Sequence, residues 1–240
     1  MTAADPEHPS TRTGSAPRAR ISLAALAANA RAGAAAVPSG DRIADLRYDA
    51  LGHGAAACAR TLAEVGVDAV IVDPDLADAV TDAASGRLRV LTEGEPTLDT
   101  AALFGIDGSG VPVMRLSGTV LGVKPLRAGE GVSYGYIHRA AHDTRIALVT
   151  GGYAQGVVRA LGEHAHVRVG GALHPIIGRV AMDVCVVDVQ EAEVRRGDPV
   201  IFFGDPPRGE PSLGEWVRST GMGAAELVAL VGARVRRDHE

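Results

Sequence analysis

Gly105-Ile106-Asp107-Gly108-Ser109-Gly110-Val111-Pro112-Val113-Met114-Arg115-Leu116-Ser117-Gly118-Thr119-Val120-Leu121-Gly122-Val123 is where this chain changes character. Before it, helix and strand signals alternate, the pattern of a parallel α/β unit. After it come β-type runs at 113–123, 145–150, 167–169, 176–189 and 199–203, separated by glycine-containing turns. That second pattern predicts a mostly antiparallel β domain or barrel. The glycine-rich residues 105–110 mark the boundary between the halves.

Working outward on the N-terminal side, residues 1–18 are Thr, Ser, Pro, Arg and Ala without periodicity and predict a disordered leader. Leu23, Leu26 and alanines at helical spacing predict a helix over 21–37, ended by Pro38-Ser39-Gly40. Residues 42–48 predict a short strand, and Gly52-His53-Gly54 a tight connection into a helix over 55–65. The continuous apolar run 67–72 fits a buried parallel strand. Asp73-Pro74 predicts a capped helix start, running to about Ala84, and 88–91 a further strand. On the C-terminal side two helices interrupt the β pattern. Ser212-Leu213-Gly214-Glu215 has the capping-box form, and the second helix covers about 224–231.

The chain has 240 residues, and a complete (β/α)8 barrel alone takes about 250. A full barrel plus a second domain is therefore excluded. Hydrophobic content of 46% and charged content of 22% suit a globular core. A net charge of −5 argues against a phosphate-tracking nucleic-acid binder. No apolar run predicts a membrane span and no signal core is visible, so the expectation is a cytoplasmic protein with no membrane or nucleic-acid partner. Cys58 and Cys185 are expected as buried free thiols. Among 24 lysines and arginines, Lys124 is the single lysine. Chemistry that needs a side-chain primary amine has that one candidate.

Several segments, in order and spacing, resemble the alanine racemase family. Gly131-Val132-Ser133-Tyr134-Gly135 resembles its "GxxVSYG" segment, and Gly151-Gly152-Tyr153-Ala154-Gln155-Gly156 its "GYADG" segment. Gly178-Arg179-Val180-Ala181-Met182-Asp183 resembles "GRxCMD". Gly197-Asp198, Phe203-Gly204 and Arg234-Val235-Arg236-Arg237 fit the ends of the same domain. Upstream the match is partial. Ile21-Ser22-Leu23 resembles the family's opening, and Ala102-Leu103-Phe104-Gly105 its last barrel strand. Arg47-Tyr48-Asp49-Ala50-Leu51-Gly52-His53-Gly54 resembles the cofactor-lysine segment "KAxAYGHG". The family's middle barrel strands have no counterpart between about Leu91 and Leu98.

The resemblance implies α/β plus all-β: a partial (β/α) barrel or open parallel α/β unit over 19–109, then an alanine racemase-like C-terminal β domain over 110–240. It implies an isomerase that interconverts L- and D-alanine with pyridoxal phosphate, supplying D-alanine for peptidoglycan. It also implies a homodimer, or a heterodimer with a full-length racemase. The family's Schiff-base lysine falls on Arg47, and a guanidinium cannot form that bond. Arg47 is left as a phosphate or carboxylate contact, or as one half of a structural ion pair. Lys124, before Pro125 at the end of a β run, reads as a solvated structural lysine.

Tyr134 matches the second acid/base, which reaches into the neighbouring subunit's site. Racemisation needs two groups on opposite faces of the α-carbon, so Tyr134 alone supports none. Tyr153, Met182 and Asp183 match the substrate entrance or pack at an interface. Leu51 and Ala225 replace phosphate-contacting tyrosines, Leu98 falls loosely where an arginine would meet the pyridine nitrogen, and Gln155 replaces an aspartate. Covalent cofactor attachment is therefore not expected. His164 and His166 lack the neighbours of a metal site, no zinc or calcium loop is present, and His53, His138, His142 and His174 read as surface or packing residues. Three functions follow: a catalytically silent racemase-like chain, a non-catalytic partner lending Tyr134 to a full-length racemase, or an enzyme whose lysine comes from a partner. How the open barrel edges are covered is left between a small open sheet and a partner.

Overall fold

The apolar run at 67–72 and the β runs beyond residue 113 end up on two sides of one continuous core, which extends from Leu26, Leu62 and Val70 to Leu116, Phe202 and Trp216. A computed structural model describes residues 16–37 and 39–240. The leader expected over 1–18 lies outside the described residues except for its last three. In chain order the N-terminal elements are β1 (Arg18–Ile21), α1 (Leu23–Ala35), β2 (Ile43–Asp45), α2 (Arg47–Leu51), α3 (Ala55–Glu64), β3 (Ala69–Ile71), α4 (Ala77–Ala84), β4 (Arg89–Leu91) and α5 (Thr100–Phe104). Then come β5 (Met114–Leu126), β6 (Gly131–Val132), β7 (His138–Arg139), β8 (Thr144–Thr150), β9 (His166–Val169), β10 (Ala172–Ile177), β11 (Val184–Asp188), β12 (Pro199–Phe203), α6 (Leu213–Thr220), α7 (Ala224–Gly232) and β13 (Arg236–His239).

The β domain is a closed antiparallel barrel of six strands, β12-β9-β10-β11-β8-β5, shut by a β5–β12 pairing. Closure depends on the length of β5, which pairs with β12 near its start and with β8 from Val120 to Leu126. Its alternating burial puts Met114, Leu116, Gly118 and Val120 inside. Gly118 sits at the corner, where a Cβ would collide with the Thr150 carbonyl. Outside β5 the sheet continues through β1, antiparallel, to β13, parallel to β1.

The α/β unit is a parallel sheet, β2-β3-β4, with partners in sequence order. Its β2 edge is not bare: the Thr97 and Leu98 amides both donate to the Ile43 carbonyl at 3.0 Å. The chain leaving β4 thus returns to cap the opposite edge.

Several expectations need correction. Arg18–Ile21 is a strand of the large sheet, not the start of a helix or the tail of a leader, because Ile21 pairs with Met114 and His239. The helix starts after Ser22, whose hydroxyl accepts from the Ala25 amide at 3.3 Å. The run 176–189 is two strands, because Gly178 turns the chain at φ +67. Asp73 does not cap its own helix, and the first turn after it is a 3-10 turn, Pro74–Leu76. Ser212 makes no side-chain cap bond; Glu215, the other half of the expected box, pairs with His166 at 2.7 Å instead.

Candidate active site

Arg47 opens α2 two residues after Asp45, the last residue of β2, and its side chain folds back onto that carboxylate. The consequence is a fork-to-fork pair. Arg47 Nε donates to both Asp45 oxygens at 2.9 and 3.1 Å, and Nη2 donates to Oδ2 at 2.5 Å. The Arg47 amide adds a 3.0 Å bond to Oδ1. Burial pushes the Asp45 carboxyl up, but the Arg47 hydrogen bonds and charge outweigh it and hold the group below its ordinary range. The sequence leaves Arg47 between a ligand contact and an ion pair; the structure forms the ion pair. The signal for it was present, an Asp and an Arg two residues apart at the end of a strand.

The next four residues form a left-handed turn: Tyr48, Asp49, Ala50 and Leu51 have φ of +57, +53, +57 and +51. Such a turn costs about 1–2 kcal/mol per L-residue, so surrounding contacts must hold it. They do so from three directions. Asp73 Oδ2 accepts from the Tyr48 amide at 2.6 Å and from the Asp49 amide at 3.4 Å. Asp49 accepts from the Ala55 amide at 2.7 Å and pairs with Arg237 of β13. His239 Nε2 donates to the His53 carbonyl at 2.8 Å. The segment also packs on α7, where Gly52 and Gly232 meet so closely that neither tolerates a Cβ.

His53 is fully buried beneath this turn. Its Nδ1 donates to the Ala50 carbonyl at 2.8 Å, and its ring stacks on Phe104 with centroids 4.5 Å apart. Nε2 has no partner. Burial lowers its pKa to about 4, so the ring is neutral at pH 7.

The β domain gathers a second group. The Tyr153 and Ala154 amides donate to the Ala181 and Met182 carbonyls at 3.0 and 2.9 Å, and the Gly151 amide donates to the Asp183 carbonyl at 2.9 Å. Gln155 Nε2 donates to Asp183 Oδ1 at 2.9 Å, and its Oε1 accepts from the Gly152 amide. Tyr153, Met182 and Asp183 therefore share one patch. The Arg159 guanidinium lies 5.4 Å over the Tyr153 ring. Tyr134 stands on a neighbouring 3-10 turn, Tyr134–Tyr136, anchored where Ser133 abuts Gly178. Its side chain is 70% exposed, beside exposed Tyr136 and Ile137.

Among the described residues no hydrogen bond or ion pair joins Arg47 to Tyr134, Tyr153, Met182 or Asp183. None of these five lines the cavity of about 630 Å³ that lies between the 105–112 loop, the end of β12 and α6. Lys124 is exposed on β5, in the other domain from Arg47. Leu98, at the loosely aligned arginine position, is buried. Cys58 and Cys185 are free and buried, and burial pushes both thiols up to about 12. Among the described residues no group of three or more His, Cys, Asp and Glu could hold a metal ion, and no helix is long and apolar enough to cross a membrane.

Comparison with known proteins gives this geometry a context. Residues 113–239 match the family model described as alanine racemase, C-terminal domain. An alanine racemase of Thermobifida fusca is 39% identical over 152 residues, covering 63% of this chain and 41% of the relative. One of Mycobacterium leprae is 41% identical over 131 residues, covering 54% of this chain and 34% of the relative. The chain thus spans less than half the length of these curated relatives. Among solved structures, alanine racemase from Streptomyces lavendulae superposes with a TM-score of 0.81 at 22% identity, over 95% of this chain and 98% of that one. The Bartonella henselae alanine racemase, solved with covalently bound pyridoxal phosphate, gives 0.81 at 17% identity, over 94% and 99%. These likenesses establish the fold, and the family match covers more than half of the sequence: this chain belongs to the alanine racemase family through its C-terminal domain.

Proposed function

We propose that the chain is a racemase-like protein that does not racemise alanine by itself. The observation that carries this reading is the Arg47–Asp45 pair. At the position matching the family's cofactor lysine stands a guanidinium, which is not an amine nucleophile and whose donors face a carboxylate. Lys124 offers the one side-chain amine, exposed on the β domain. The residues present do not fit a covalently held pyridoxal phosphate, so no catalytic step is derived through it. In this reading β2, β3 and β4, with Thr97 and Leu98 beside β2, are what is kept of the family's barrel.

The direct test is alanine racemisation by the purified chain with added pyridoxal phosphate. No turnover above the cofactor-only background is expected. Turnover that scales with protein would overturn the reading.

A second reading draws on a separate observation. The β barrel is closed, and Tyr134 projects from it 70% exposed, followed in the chain by exposed Tyr136 and Ile137. This is an apolar, aromatic patch of the kind that subunits bury. Self-association would cover it, as would pairing with a full-length racemase to which Tyr134 contributes its hydroxyl. In the second case Tyr153, Met182 and Asp183 would line the partner's substrate entrance. Mixing the chain with a full-length racemase and measuring both association and activity separates the two. A chain that stays monomeric at micromolar concentration and leaves the racemase unchanged would exclude both.

A further inference from the structure

We infer a binding site for a phosphate group on the outer face of the β domain, where Arg20, Arg115 and Arg168 converge. It lies apart from the Arg47 segment and does not depend on the reading above. The three arginines, with Ser117, line an open cavity of about 570 Å³. The Gly170 and Gly171 turn and Asp198 form other parts of its wall.

Strand register brings these side chains together. Arg20 of β1 is paired directly with Arg115 of β5. Ser117, two residues along β5, is opposite Ile201 of β12, and Ile201 is in turn opposite Arg168 of β9. Odd-numbered β5 residues face outward, as the alternating burial of the strand shows. The arginines therefore stand on one face of the sheet, Arg20 and Arg115 on adjoining strands about 4.8 Å apart and Arg168 across the intervening β12. All three side chains reach the one cavity.

This arrangement opposes stability. Like charges directly across an antiparallel pair are destabilising. The protein compensates two of the three charges. Arg115 is held by buried Glu210 at 2.8 Å, while Arg20 meets Glu240 at 3.4 Å between exposed side chains. Among the described residues the Arg168 side chain has no hydrogen-bond or ion-pair partner. No ion pair among the described residues joins Arg168 to Asp198, whose carboxylate accepts from the Arg195 amide at 2.8 Å. The cavity thus holds one guanidinium, that of Arg168, whose donors no carboxylate among the described residues engages.

Guanidinium forks match oxyanion geometry and bind in pairs of parallel hydrogen bonds. Several guanidinium groups around one cavity suit an anion with more than two oxygens, which favours phosphate over a single carboxylate. The cavity has room for a phosphate carried on a small alcohol as well as for the free ion.

Calorimetric titration of the full chain with inorganic phosphate and with glycerol 3-phosphate, in chloride at matched ionic strength, tests the site. Saturable binding is expected, weakened about tenfold or more by Arg168→Gln. Arg20→Gln, at an exposed position, should weaken it several-fold and keeps the test valid where Arg168→Gln misfolds. Tighter binding of glycerol 3-phosphate would identify a monoester ligand, and equal or weaker binding the free ion. No saturable binding of either anion, or binding that both variants leave unchanged, would overturn the proposal.

Discussion

Asp45 and Arg47 neutralise each other at the exit of β2, with three side-chain contacts between 2.5 and 3.1 Å. The pair does locally what no lysine could do, joining one guanidinium edge, Nε and Nη2, to both oxygens of one carboxylate. It also fixes the backbone, because the Arg47 amide shares the same acceptor. Asp45→Asn should lower stability by about 1 kcal/mol, a modest figure because Arg47 is partly exposed. Since the folded carboxyl titrates below its ordinary 3.8, its contribution is complete above that value and fades as pH falls beneath it. Urea melts of the two forms at pH 7 and pH 3 should differ at the first pH and converge toward the second.

His53 predicts a different acid response. The folded ring has a pKa of about 4 against an ordinary 6.5, so the unfolded chain takes up the proton first. Stability is intact above pH 6.5 and declines between 6.5 and 4, by up to about 3 kcal/mol from this residue. His53→Phe retains a ring against Phe104 and has no proton to gain. Its stability should fall less over that pH interval than that of the parent chain.

Gly52 and Gly232 join the left-handed segment to α7. A methyl at 232 would overlap the Gly52 carbonyl, a backbone group that cannot swing away. Gly232→Ala should destabilise the chain by about 1–3 kcal/mol, read as a lower denaturant midpoint. Ala233→Gly, one residue on at the helix end, serves as the control and should cost about 1 kcal/mol or less.

Glu210 holds Arg115 from a buried position and also accepts from the Asp205 amide at 2.9 Å. Burial pushes its carboxyl up, yet the bonds from Arg115 and Asp205 prevail and lower it. Glu210→Gln leaves Arg115 without its counter-charge beside Arg20. A loss of about 2–3 kcal/mol is expected in thermal or urea unfolding.

Tyr134 should behave in the opposite way. Its exposure predicts that Tyr134→Ala changes stability by no more than about 0.5 kcal/mol. An effect confined to association, measured by analytical ultracentrifugation, is the result the interface reading expects.

The sequence made the β domain legible because strand-length apolar runs and glycine turns are local signals. It made the Arg47 substitution legible because amine chemistry is a property of residue type. The left-handed turn was not legible: Tyr48-Asp49-Ala50-Leu51 contains no glycine, and its conformation is held by Asp73, Arg237 and His239 from elsewhere in the chain. Nor was the place of β1, whose partners Met114 and His239 are distant in sequence. Ser212 and Glu215 spell a helix cap, but a histidine on another strand takes the glutamate. In each case a long-range contact overrode a sound local signal.

The central claim, that the Arg47 position cannot carry the cofactor, is tested most directly by covalent trapping. The chain is incubated with pyridoxal phosphate, reduced with borohydride and mapped by peptide mass spectrometry, alongside Arg47→Lys. The account predicts no stoichiometric label in the parent chain, with only sparse modification at Lys124 or the terminal amine. A stoichiometric label at a single site in the parent chain, accompanied by alanine racemisation, would contradict it.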